Sequence, residues 1–166
     1  MNIIIKSTLN TLQKAQYLLD SLTDDQLCNN SVPPYHSSIG SHIRHILDFY
    51  DCILNINSKN KIDLTARSRN KDVESNCNCA SDYLKSVVTK LNNFNFNTTQ
   101  TIIVIDDLGL GKIEIPYTYS ALFSQANSHT IHHYAIINYI VDRLKIKFDG
   151  ANFGYNPTTP KQVFIN

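Results

Sequence analysis

Three of the chain's six histidines fall within five residues, His129, His132 and His133, in the stretch NSHTIHHYAIINYIVDRL. Imidazole can carry protons near neutral pH and, when neutral, can ligate a metal. His129 and His133 are four residues apart, so on a helix they stack on one face about one turn apart. Ala126, Ile136, Ile137 and Ile140 share that face, which marks it as the buried one. Burying two imidazoles side by side among isoleucines costs a few kcal/mol unless their polar atoms find partners. A metal ion removes that cost by taking up their lone pairs. H-x₃-H is the spacing that lets two imidazoles on one helix reach one ion, with a third ligand required from elsewhere. His132 falls roughly 60° to the side of the pair at about 100° per residue.

A second histidine-bearing segment, SSIGSHIRHILDFYDCIL, can supply that third ligand. At about 100° per residue, Ile39, Ile46, Phe49, Tyr50 and Ile53 form one apolar face. His42 lands near its middle and His45 on its edge, so either can reach the pair. Arg44, Asp48 and Asp51 point away and read as charges on the helix surface. Three neutral imidazoles on a divalent ion leave one position open for water or substrate, and a bound water or thiol there has a lowered pKa. The H-x₃-H spacing alone is a weak signal, because a hydrogen-bonded core histidine is commoner. Two histidine-bearing helices together make the metal reading the stronger one.

The elements that must position these groups are legible from periodicity. The first helix is expected from Thr8 to Leu22, with Leu9, Leu12, Ala15, Leu18, Leu19 and Leu22 inward. A short turn of helix and a loop follow in SLTDDQLCNN, and Pro33 and Pro34 close that segment. Ser37 or Ser38 caps a second helix from Ile39 to about Asn55. The segment NINSKNKIDLTARSRNKD reads as a long polar loop. A third helix is expected from Asp72 to about Phe94, with Val73, Ala80, Leu84, Val87, Val88 and Leu91 inward. TQTIIVID and KIEIPYTY, on either side of DLGLG, read as a β-hairpin that must pack on the helices. A fourth helix begins at Tyr119 or Ser120 and ends near Leu144, and the tail FDGANFGYNPTTPKQVFIN reads as irregular. The expected fold is all-α: residues 1–166 as one four-helix-bundle domain with a small hairpin between the third and fourth helices.

Bulk composition narrows the function. Hydrophobic residues make up 42% of the 166, enough for a core. Lys and Arg number 15 against 14 Asp and Glu, which leaves no basic footprint for nucleic acid and no cationic membrane-binding surface. No stretch is long and apolar enough to span a membrane. MNIIIKSTLN reads as mature protein rather than as a signal peptide. Cys28, Cys52, Cys77 and Cys79 are expected as free thiols in a reducing cytoplasm, since C-x-C is not a zinc or redox spacing. DDLGLGK sits in a hairpin turn, so it is not a phosphate-binding loop. Arg67 and Arg69 could bind an anionic substrate, although loop arginines are usually solvated. Tyr134 and Tyr139 read as packing residues.

Taken in order, SLTDDQL, SSIGSHIRHILDFYDCIL, RSRNKDVE, SHTIHHYAIINYIVDRL and FGYNPTTP resemble the DinB-like (YfiT-like) family of metalloenzymes. The resemblance covers most of the chain and implies a four-helix bundle with a divalent metal at one end. It implies His129 and His133 as the helix-four ligands. It also selects His45 as the third ligand, because SIGSHIRHILD places that residue before a hydrophobic-hydrophobic-Asp run. His42, one turn earlier, then supports the ligands or is structural, and His132 supports them or lies on the surface. The resemblance further implies transfer of a low-molecular-weight thiol to an electrophile, isomerisation with such a thiol, or hydrolysis. Zn²⁺ would be the default ion, with Ni²⁺, Fe²⁺ or Mn²⁺ as alternatives. No residue stands out as the general base, so the catalytic residues are left unassigned. Two other readings compete: a non-catalytic, metal-stabilised bundle that binds a small molecule or partner, and a metal-free bundle with buried histidines forming a homodimer.

Overall fold

The computed structural model describes residues 2–55, 61–97, 99–150 and 152–159. The first helix, α1, runs Ile3–Leu19, with the Asn2 side chain accepting from the Ile4 N–H. It therefore starts and ends earlier than the leucine spacing implies. The side-chain cap at Asn2 sets its start, and a short helix α2, Asp24–Cys28, takes up the chain beyond it under a reciprocal capping box between Thr23 and Gln26. Helix α3 spans Ile39–Leu54 and is capped by Ser38. Strand β1, Lys61–Asp63, leads into α4, Asp72–Ser75, and then α5, Cys77–Asn93. The expected third helix is thus broken at Asn76, where φ −133° and ψ 119° interrupt the turn and its side chain caps α5. Strands β2, Thr101–Asp107, and β3, Lys112–Thr118, form the hairpin, and α6 covers Tyr119–Arg143.

The expectation of an all-α chain is corrected by the sheet. Described residues form a mostly helical protein with a three-stranded mixed sheet in the order β1-β2-β3. β1 runs parallel to β2, with Ile62 opposite Val104, and β2 pairs antiparallel with β3. The first strand lies inside the segment read as a polar loop, of which residues 56–60 lie outside the described chain. KID is too short to show alternation, and only pairing with β2 makes it a strand.

The four long helices each pack against two others: α1 against α5 and α6, and α3 against the same two. Leu12, Leu18, Ile43, Ile46, Leu84, Val87, Leu122 and Ile137 fill the space between them at 0–2% exposure. Each such side chain contributes about 1.5–3 kcal/mol on burial. Ile62, Ile102 and Val104 bury one face of the sheet. Gly40 lets α4 cross α3 closely, since a Cβ there would sit 2.0 Å from the Glu74 carbonyl oxygen. That crossing brings Glu74 to Arg44. No helix among the described residues is long and apolar enough to cross a membrane, and the four cysteines are free.

Candidate metal centre

α3 and α6 lie side by side, and their histidines meet between them. His45 Nε2 is 2.8 Å from His129 Nε2, and His129 Nε2 is 3.1 Å from His133 Nε2. The ligand atoms of these three residues all lie within 4.8 Å of one another. Three nitrogens around one tetrahedral ion at about 2.0–2.1 Å are separated by roughly 3.3 Å, within about half an ångström of these two Nε2–Nε2 distances.

Hydrogen bonding alone does not satisfy this cluster. Each neutral imidazole carries one hydrogen and one lone pair. The Nε2 of His129 faces two other Nε2 atoms and can form a good hydrogen bond with only one. A shared cation serves all three lone pairs at once. For His133 the opposite ring nitrogen fits this arrangement. Ligation through Nε2 leaves the hydrogen on Nδ1, which donates to His42 Nδ1 at 2.9 Å. His42 Nε2–H then donates to Ser37 Oγ at 2.8 Å. Of the two candidate capping serines, Ser38 caps the helix and Ser37 anchors His42. Such an outer partner fixes both the tautomer and the ring orientation of a ligand.

Electrostatics keep the histidines neutral. Burial first, then the Arg67 guanidinium, pushes His45 down to about 4. Burial, followed by His129, His45 and His42, pushes His133 down to about 2. Burial also lowers His42 and His129, with His132 adding to both. At neutral pH their lone pairs are therefore available to a cation. Phe49, buried on α3, closes one side with its ring 5.2 Å from that of His129. His132 is exposed, with its ring 5.4 Å from that of His133.

Both second-helix histidines reach the pair, by different nitrogens. The apolar-face position of His42 brings it to His133 Nδ1, on the side away from the converging Nε2 atoms. His45, on the edge of that face, enters from the flank and completes the triad. His36, the sixth histidine, is exposed, and its Nδ1 lies 3.3 Å from the Asn30 carbonyl oxygen.

Three other residues depart from expectation. Asp48, read as a surface charge, is 1% exposed. Its carboxylate accepts from Arg44 Nη1 at 3.0 Å, the Arg69 N–H at 3.1 Å and the Tyr83 hydroxyl at 3.1 Å. The helical wheel could not show that the Leu64–Lys71 segment and α5 cover this side of α3. Arg67 is not a solvated loop residue: it is half-buried, and its Nη1 lies 3.2 Å from His45 Nδ1. Tyr139 does not pack and is 75% exposed, because it faces outward on α6. Tyr134 is buried as expected, stacked on Phe153 with its hydroxyl donating to the Thr11 carbonyl.

Three histidines from two helices are thus close enough to hold one divalent metal ion. No family model matches the chain, and no curated protein or solved structure matches it either.

Proposed function

We propose that this chain is a metal-dependent enzyme of the DinB-like type. In this reading the four long helices are that family's bundle, and His45, His129 and His133 hold a divalent ion, with Zn²⁺ first and Ni²⁺, Fe²⁺ or Mn²⁺ as alternatives. Its substrate is a small molecule, and the reaction is transfer of a low-molecular-weight thiol or hydrolysis. The observation that supports the reading is the convergence of three Nε2 atoms from α3 and α6, with His129 Nε2 at 2.8 and 3.1 Å from the other two. Three protein ligands rather than four is the donor set of a site with an open position. When bound, the ion supplies Lewis acidity that favours the deprotonated form of a thiol or water.

The chain's own groups do the rest. His42 accepts the Nδ1 hydrogen of His133 and passes its own to Ser37, which holds the ring of His133 in place. Phe49 shields His129 from water. Exposed His132 lies beside the site, with its ring 5.4 Å from that of His133.

The test is a thiol-transfer and ester-hydrolysis screen on purified protein, run before and after chelation and again after metal is restored. Activity that disappears with chelator and returns with one divalent metal supports the reading. Activity unaffected by complete metal removal, or no turnover with any metal, contradicts it.

A further inference from the structure

The metal arrangement leaves one conflict, and it falls on Arg67. Ligation of an ion through His45 Nε2 puts the hydrogen of that ring on Nδ1. Arg67 Nη1 lies 3.2 Å from the same Nδ1. A guanidinium has only donors, so two N–H groups would point at each other. Loading the site must turn this end of Arg67 away from His45.

Arg67 has nowhere else to go among the described residues. Among the described residues no carboxylate lies within ion-pair distance of it. By contrast, Arg44, one residue from His45, is held by both Asp48 and Glu74. Arg67 lines a cavity of about 350 Å³ together with Asp48, Asp51 and Asp63. Those three acids are already engaged, by Arg44, Lys90 and Lys112. The backbone around Arg67 is nonetheless firmly built. Asp63 Oδ1 accepts from the Thr65 N–H and hydroxyl at 2.8 and 2.6 Å. The Leu64 N–H continues the β1–β2 pairing to the Ile105 carbonyl at 2.9 Å. Buried Asp48 holds the Arg69 N–H at 3.1 Å. Arg67 Nε itself donates to the Leu64 carbonyl at 3.0 Å. A half-buried guanidinium, tethered at one edge, fixed beside the triad and unmatched by any acid, is a built receptor for an anion.

We propose that Arg67 is the anion-recognition residue of this site, so that the substrate carries a carboxylate which Arg67 takes once the metal displaces it from His45. This rests on the metal reading above and adds the substrate class. A planar carboxylate matches the guanidinium fork, whose Nη edge is the one set free. The anion replaces the His45 contact, so metal binding and substrate binding reinforce one another through a single side chain.

The experiment uses cobalt-loaded protein, in which a thiolate joining the ion gives a charge-transfer absorption. The probes are 3-mercaptopropionate and its uncharged amide, 3-mercaptopropionamide, titrated into wild type, Arg67→Gln and Arg67→Lys. Wild type is expected to bind the acid about tenfold more tightly than the amide, the size of one charge-assisted contact. Arg67→Gln is expected to bind the two equally, and Arg67→Lys to keep part of the preference. Cobalt affinity should be unchanged or higher in Arg67→Gln, because the opposing donor is gone; a residue that merely supported the fold would lower it. An equal acid-to-amide ratio in wild type and Arg67→Gln overturns the role of Arg67 while the metal site stands. Failure of 3-mercaptopropionate to join cobalt that is bound overturns it too. Failure of wild type to take up cobalt overturns both the anion site and the metal reading beneath it.

Discussion

Asp48 gives the sharpest stability test, because its position contradicts the simple helical wheel. Its carboxylate is 0% exposed and accepts from three donors. In Asp48→Ala the Arg69 N–H and the Tyr83 hydroxyl lose their acceptor, and Arg44 keeps only Glu74. Removing one partner of a buried, hydrogen-bonded ion pair costs about 3–5 kcal/mol, and the residual Arg44–Glu74 contact places this case near the middle of that range. Asp48→Asn keeps the shape. Its amide oxygen can still serve Arg44 and the Arg69 N–H, and its NH₂ can donate to Tyr83 Oη. Only the charge on the Arg44 contact is lost, for about 1–2 kcal/mol. Urea unfolding of metal-stripped protein at pH 7 measures both variants without linkage to metal binding. A loss below about 1 kcal/mol for Asp48→Ala, or an Asn variant as damaged as the Ala variant, would refute the reasoning.

Two further outcomes follow from the histidine geometry. His42→Ala removes the acceptor of the His133 Nδ1 hydrogen and should weaken zinc affinity about 10–100-fold, read by competition with a chromophoric chelator; an unchanged affinity would remove His42 from the site. The lowered histidine pKa values also set a pH dependence for the metal-free protein. The unfolded rings take up protons below the ordinary value of 6.5 while His45 stays neutral to about 4 and His133 to about 2. The unfolded state therefore binds more protons in that window, and stability must fall as pH drops from 6.5. Asp63 and Glu74, which titrate below their ordinary values of 3.8 and 4.5, add to the loss mainly at lower pH, so the upper part of the interval reports chiefly on the imidazoles. A urea midpoint that stays level across that interval would contradict neutral, buried imidazoles.

Periodicity carried the helices and the site further than it carried their surroundings. The H-x₃-H pair on α6 was readable because one element positions both residues. The third ligand was harder, since His42 and His45 lie on the same helix and local spacing cannot say which nitrogen meets which ring. Their split roles, one ring nitrogen to His133 Nδ1 and another to the centre, depend on how α3 crosses α6. β1 was invisible because three residues carry no alternation and their pairing with β2 spans some forty positions of chain. The burial of Asp48 and the placement of Arg67 have the same origin: both depend on the segment between β1 and α4 lying over α3. One local clue existed, since Asp63-x-Thr65 can form the side-chain turn that opens the segment.

The central claim is most directly tested by measuring bound metal and zinc affinity for wild type and His129→Ala purified without added metal. The account predicts about one divalent ion per chain in wild type and close to none in the variant, with the helical circular dichroism of both intact. Wild-type protein that carries no metal and takes up no zinc on titration, or a His129→Ala protein that binds as well as wild type, would contradict it.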